Sequence, residues 1–265
     1  MSKFLIFAIL TSLPLFSKIY YAKVEPYQTI TLKSAVSAKV LSVDLEAEGE
    51  MVGDREIIHL DDTVDRADLN SSKQSLIILN SSLEINREML NSLKKSLNRQ
   101  KGYYQRMNRL KTASTTQKDN AFNSFVSAQN QYLSTKDKIE SIKRQILDMT
   151  LKITRLEDII SKKSIRVKEQ YLYKLYLRAG DYVNPNSPLA IVQDHSKAKL
   201  ILFIEPSELD NIKMKNIYID GEVTNYRVNK VWNSADERYI SSYRVEIYVD
   251  TPIGRFSKLV KVEFK

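Results

Sequence analysis

Leu69 to Leu110 reads LNSSKQSLIILNSSLEINREMLNSLKKSLNRQKGYYQRMNRL. Leu69, Leu76, Leu83, Leu90, Leu97 and Tyr104 recur every seven residues. Leu79, Leu93 and Met107 fill positions three residues on, with Asn86 and Gln100 in the same row. Two rows at this spacing form the a/d seam of a coiled coil, partly polar at d. Between Asp65 and Ser161 there is no proline and a single glycine, Gly102. Ordinary globular sequence is punctuated more often.

A second series follows at the same spacing: Phe125, Tyr132, Ile139, Ile146, Ile153 and Ile160. Its companions are Ala121, Ala128, Thr135, Ile142, Met149 and Leu156. A strict seven-residue repeat on each arm predicts coiled-coil packing. The arms are separated by Lys111 to Asp119, which contains no Leu, Ile or Val. Thr115 or Thr116 is the expected N-cap of the second helix, where a hydroxyl accepts from an orphan N–H. A short break between near-equal arms predicts an antiparallel hairpin. At 1.5 Å per residue each arm would reach about 65–70 Å. The competing reading is one continuous helix in a parallel homodimer.

The flanking segments favour the hairpin. Val36, Ala38 and Val40, then Val43 and Leu45, alternate with polar residues as a strand does. Turns at Gly49 and at Gly53-Asp54 divide this stretch. After the helical region the same plan returns. Glu48-Gly49-Glu50-Met51-Val52 is echoed by Ala179-Gly180-Asp181-Tyr182-Val183, each followed by a turn, a short apolar strand and an Asp. This is an internal repeat split by the helical region. Neither half can bury its apolar face alone, so the helices between them must return to their starting point. The expected fold is α+β, with a hairpin at 63–163 inserted between the halves 34–62 and 164–195 of a small β-sandwich.

Residues 196–265, together with 23–33, are expected to form a small antiparallel β-barrel. Ala198 to Ile204, Ile217 to Ile219, Glu222 to Trp232, Tyr239 to Val249 and Leu259 to Phe264 are its strands. Pro206 to Asp210 is a short helical turn with Ser207 as candidate N-cap and Asp210 as its box partner. Residues 1–22 read as an export signal. Lys3 precedes an apolar run from Phe4 to Phe16, too short at about 13 residues to span a bilayer comfortably. Cleavage after Ser17 or after Ala22 are the two exits, and an uncleaved anchor is the alternative.

Composition narrows the function classes. The 265 residues carry 41 Lys+Arg against 32 Asp+Glu, a formal charge of +9. The bases alternate with acids and amides, which favours solvated helix faces over a nucleic-acid surface. Attraction to anionic lipid headgroups is a secondary use of the charge. There is no cysteine, which removes disulfides, zinc–thiolate sites, a Cys nucleophile and a lipidated N-terminus. His59 and His195 lack ligand spacing, so both are read as ordinary sheet or loop residues. No P-loop, nucleophile triad or paired-carboxylate site is visible, and neither catalysis nor a cofactor is expected.

The layout resembles the membrane fusion proteins, also called periplasmic adaptors or HlyD-like proteins. The split motif at Glu48–Val52 and Ala179–Val183 is similar to that of biotinyl-lipoyl-like domains. In this family a hairpin interrupts a lipoyl-like domain and a β-barrel follows. The acceptor lysine of true lipoyl domains sits on the turn that the hairpin replaces here, so no lipoylation or biotinylation is expected. Family members that dock TolC-like channels often carry an Arg, a Leu and a Ser around the hairpin tip. Arg106 and Leu110 match that spacing, and Thr116 stands in for the Ser one residue early. The bland reading makes Arg106 a solvated arm residue and Leu110 the last seam residue. The chain departs from the family in being short, which puts the usual membrane-proximal β domain in doubt and leaves the barrel to contact the transporter.

The resemblance implies a periplasmic adaptor subunit, associated with the inner-membrane surface, that assembles as a homo-oligomer. It would bridge an inner-membrane transporter, RND-type first and ABC-type second, to a TolC-like outer-membrane channel. The alternatives are a structural coiled-coil protein of the cell envelope without a transport role, and more remotely an enzyme carrying a lipoyl-type arm.

Overall fold

A computed structural model describes residues 18–235, 239, 241–250 and 256–265. Most of the predicted export signal, residues 1–17, lies outside the described residues. The helical region forms two long helices, α1 (Thr63–Arg109) and α2 (Thr115–Lys163). They pack antiparallel over their whole length. Asp65 pairs with Lys163 at one end, Lys73 with Glu157 further along (2.8 Å), and Tyr104 stacks on Phe125 near the other end (centroids 5.8 Å apart). Midway, Leu83 and Leu90 meet Ile139, Ile142 and Ile146.

The buried residues of α1, Ser72, Leu83 and Asn86, all lie on the two rows of the seven-residue repeat, and one of them is a position that the apolar pattern did not show. Ser72 fills the d position between Leu69 and Leu76 and is buried. Asn86, the next polar residue in that row, is buried too; its Nδ2 donates to Ser82 O at 2.7 Å. Ser72 Oγ and Asn86 Oδ1 have no hydrogen-bond partner among the described residues. A polar d residue weakens a seam while fixing its register, because slippage would bring it against an apolar layer.

The β elements in chain order are β1 (Ile19–Lys33), β2 (Ala38–Val43), β3 (Met51–Val52) and β4 (Arg55–Leu60) before the hairpin. After it come β5 (Ser164–Val167), β6 (Gln170–Leu175), β7 (Tyr182–Val183), β8 (Pro188–Ile204), β9 (Ile217–Ile219), β10 (Glu222–Val223), β11 (Val228–Ala235), β12 (Tyr243–Val249) and β13 (Leu259–Phe264). All pairings are antiparallel.

The two repeat halves exchange strands. β3 of the first pairs with β6 of the second, and β7 of the second pairs with β2 of the first. The glycine turns repeat the exchange bond for bond. Gly49 N donates to Leu172 O (2.8 Å) and Leu172 N to Glu50 O (3.0 Å). Gly180 N donates to Val40 O (2.9 Å) and Val40 N to Asp181 O (2.8 Å). Both glycines have positive φ, +88° and +99°, which an L side chain resists. One core results, containing Val40, Val52, Ile57, Ile58 and Leu60 from the first half with Leu172, Leu175, Val183 and Leu189 from the second. Val43 packs against that same core. β4 and β5 pair directly where the chain leaves for the hairpin and returns from it. Lys163, the last helical residue, donates there to Asp61 O at 2.7 Å as well as pairing with Asp65.

A second core lies in a curled sheet of order β10-β9-β13-β1-β8-β12-β11. Among the described residues β10 and β11 are its edges. Four sequence expectations need correction here. β8 runs unbroken from Pro188 to Ile204, across the boundary placed at 195/196. β1 is likewise shared: Lys23 to Pro26 pair with the barrel end of β8, while Ile30 and Leu32 pack on the core of the repeat. Residues 23–33 therefore belong to both β units. Ile19 to Ala22, assigned to the export signal, are strand residues paired with β13, with Ala22 fully buried. Finally, the turn Pro206–Glu208 is a 3-10 turn whose N-cap is Glu205, with Pro206 at the first position, so Ser207 is not a cap.

Two outcomes are expected. Asn86→Leu fills a polar layer with an apolar side chain of similar size and relieves an unpaired buried carbonyl, so the urea midpoint should rise, by about 1 kcal/mol in stability. The second concerns His195, whose burial holds its imidazole below the ordinary histidine value, partly offset by the Asp194 carboxylate. The unfolded chain then takes up this proton at higher pH than the folded chain. Stability from this group is complete above the ordinary histidine pKa of about 6.5 and declines as pH falls through it towards the folded value. Unfolding midpoints measured at both ends of that window should differ less in His195→Phe than in the native sequence.

Candidate functional site

The hairpin tip is built from two helix ends and a five-residue link, 110–114. α1 ends at Arg109, and Leu110 turns out of the helix with ψ 118° while its N–H still reaches Met107 O at 3.2 Å. α2 starts with a complete capping box. Ser114 Oγ accepts from the Gln117 N–H (3.3 Å) and Gln117 Oε1 accepts from the Ser114 N–H (3.0 Å). The expected caps, Thr115 and Thr116, are instead the first two residues of α2. The Ser-x-x-Gln spacing of 114–117 carried that signal.

All three residues named from the sequence lie at this end of the rod. Arg106 is exposed on the last turn of α1. Its side chain folds back over Gly102, where an added Cβ would stand 3.4 Å from Nη1. Leu110 is 48% exposed. It has left the helix, so it does not continue the seam, which ends at the half-buried Met107. Thr116 is exposed at the second position of α2.

The neighbourhood includes residues the motif did not single out. Arg109 shares the last turn of α1, where cationic side chains offset the negative end of the helix dipole. Tyr103 and Phe122 are 44% and 46% exposed, one on each arm. Phe122 also meets the ring of Tyr104 (5.5 Å). Their signal was present as large apolar residues off the a/d rows, which a seam count passes over. The tip thus presents one projecting aliphatic side chain, guanidinium donors and hydroxyls. Such a set can enter an apolar crevice and bond carbonyls or carboxylates at its rim.

Neither a known family model nor a curated protein matches the sequence. Solved structures do match in three dimensions. MacA from Actinobacillus actinomycetemcomitans superposes with a TM-score of 0.73 at 14% identity, over 94% of this chain and 78% of that one. A MacA–MexA chimera containing the Pseudomonas aeruginosa MexA alpha-hairpin domain gives 0.60 at 15%, over 94% and 81%. The membrane fusion protein Spr0693 from Streptococcus pneumoniae R6 gives 0.59 at 8%, over 94% and 99%. The fold of this chain, a long helical hairpin rooted in curled antiparallel sheets, is the fold of MacA and of the membrane fusion protein Spr0693.

Proposed function

We propose that this protein is the periplasmic adaptor of a tripartite efflux or secretion pump. The observation that carries the reading is the rod itself. Helices of 47 and 49 residues leave and re-enter one β unit side by side, and hold an exposed leucine about 70 Å from it. A rigid spacer with a sticky end suits a bridge between two partners better than it suits catalysis. The β units would meet an inner-membrane transporter, and the tip would meet a TolC-like outer-membrane channel. Leu110 would enter a crevice between channel helices, with Arg106 and Thr116 bonding its rim. An RND-type transporter is the first choice, because the tip motif resembles that of adaptors of that class; an ABC-type transporter is the second.

Several copies would pack side by side. The arms carry apolar side chains outside their own seam, among them Ile78, Ile85 and Leu147 at 58–69% exposure, which favours lateral contact. No described helix is long and apolar enough to cross a membrane. Attachment to the inner-membrane surface would then rest on the N-terminal segment or on the transporter. Export with cleavage after Ser17 would leave β1 whole, whereas cleavage after Ala22 would remove residues paired with β13.

Cysteines placed at Arg106 or Lys111 should crosslink to the outer-membrane channel in cells, and cysteines at Lys33 or Lys168 should not. Leu110→Asp should reduce export to the level of a strain lacking the protein while leaving the thermal melt unchanged, since Leu110 packs in neither β core nor seam. Normal export in that variant would remove the tip from the docking interface.

A further inference from the structure

The bend where β1 and β8 pass from one β unit to the other opens a cleft of about 600 Å³ that the adaptor reading leaves unused. The ladder between these strands is interrupted at Pro26, and register shifts between Pro26 and Gln28. Proline has no N–H to continue it. Side chains from β1, β6, β8 and the segment before β13 line the cleft at this irregularity of the sheet.

One wall is aromatic. His195 lies between Tyr171 (centroids 4.4 Å, planes 18° apart) and Phe256 (4.1 Å, 32°), and Tyr173 lines the same cleft with 54% of its surface open. Gln193 Oε1 sits 3.1 Å from His195 Nε2 and holds the ring in the stack. The floor is charged. Lys23 and Glu25 both line the cleft, and their two-residue spacing puts them on one face of β1. Among the described residues neither makes an ion pair or a side-chain hydrogen bond. Among the described residues, then, a cation and an anion without ionic partners stand beside a stacked aromatic wall, in a cleft of small-molecule size at a junction of two units.

We propose that this cleft binds a planar aromatic zwitterion, its ring against Tyr173 and the Tyr171–His195–Phe256 stack, its carboxylate at Lys23 and its ammonium at Glu25. Offset stacking supplies the apolar part of the affinity, and the two charge-assisted contacts fix which way round the ligand lies. The proposal is independent of the adaptor reading, because it concerns the isolated chain.

The test uses purified full-length protein and two fluorescent probes. Norfloxacin carries a carboxylate and a piperazinium on a flat ring system; nalidixate has a similar fused ring and carboxylate without the ammonium. Norfloxacin should bind saturably at one site by anisotropy. Tyr173→Ala should weaken both probes about fivefold or more, the loss expected of one aromatic contact. Its unchanged melting curve would show that the fold is intact. Lys23→Gln should weaken both, and Glu25→Gln should weaken norfloxacin alone. No saturable binding of norfloxacin at about 1 mM, the weak end of specific affinity, would overturn the proposal. So would an affinity indifferent to Tyr173→Ala, or an equal loss for both probes in Glu25→Gln.

Discussion

Reciprocal strand exchange between the two repeat halves is the constraint from which the rest follows. The first half supplies β3 to β6 and receives β7 alongside β2, with the same paired hydrogen bonds at each glycine turn. A buried strand edge left without partners costs the desolvation of each orphaned N–H and C=O. Neither half can therefore settle alone, and whatever separates them must return to its origin. The β4–β5 ladder completes the closure, from Arg55–Val167 at one end to His59–Ser164 at the other.

The root of the rod is correspondingly polar and tightly bonded. Lys163 is buried, a position costly for an ammonium unless it is paired and hydrogen-bonded. Its two partners, Asp61 O and Asp65, lie at the opposite helix end, so the bonds that satisfy it also tie α2 to the start of α1. Beside it Arg66 reaches the buried Asp62 carboxylate at 2.7 Å, and that contact holds the carboxyl below its ordinary pKa. His59 lies between Glu56 (2.9 Å) and Asp62 (3.6 Å) on the β4 side of the same junction. The rod is thus fixed at its base by groups that β4, α1 and α2 contribute jointly.

The hairpin was legible because a seven-residue period survives whatever polar residues stand between its members, and because two arms carried it independently. The repeat at Gly49 and Gly180 was legible as composition, and its physical meaning, the exchange, followed from the inability of either half to bury a face. What escaped has particular causes. Ser72 is a seam residue by position and a surface residue by chemistry, so an apolar count cannot find it. The cap at Ser114 was hidden among Thr112, Thr115 and Thr116, where only the reach to Gln117 decides. The continuity of β1 through both β units was hidden by Pro26, and that of β8 by the polar run Gln193 to Lys197, which separates two apolar stretches and reads as a turn. The cleft lies at Pro26, and its residues come from four separate stretches of sequence. Arg106, Leu110 and Thr116 were placed at the tip by a resemblance; the sequence alone offered no reason for an exposed leucine there.

The insertion of the rod between β4 and β5 also governs how its length can change. Seven residues removed from each arm would take about 10 Å off the reach and leave both seams facing each other. The same number removed from one arm would leave an overhang, and a loss that is not a whole repeat would swing the tip about the axis by some 100° per residue. Lengthening or trimming is therefore quantised and must be matched on both sides, while the β units, which see only two helix ends at a fixed separation, are indifferent to the outcome.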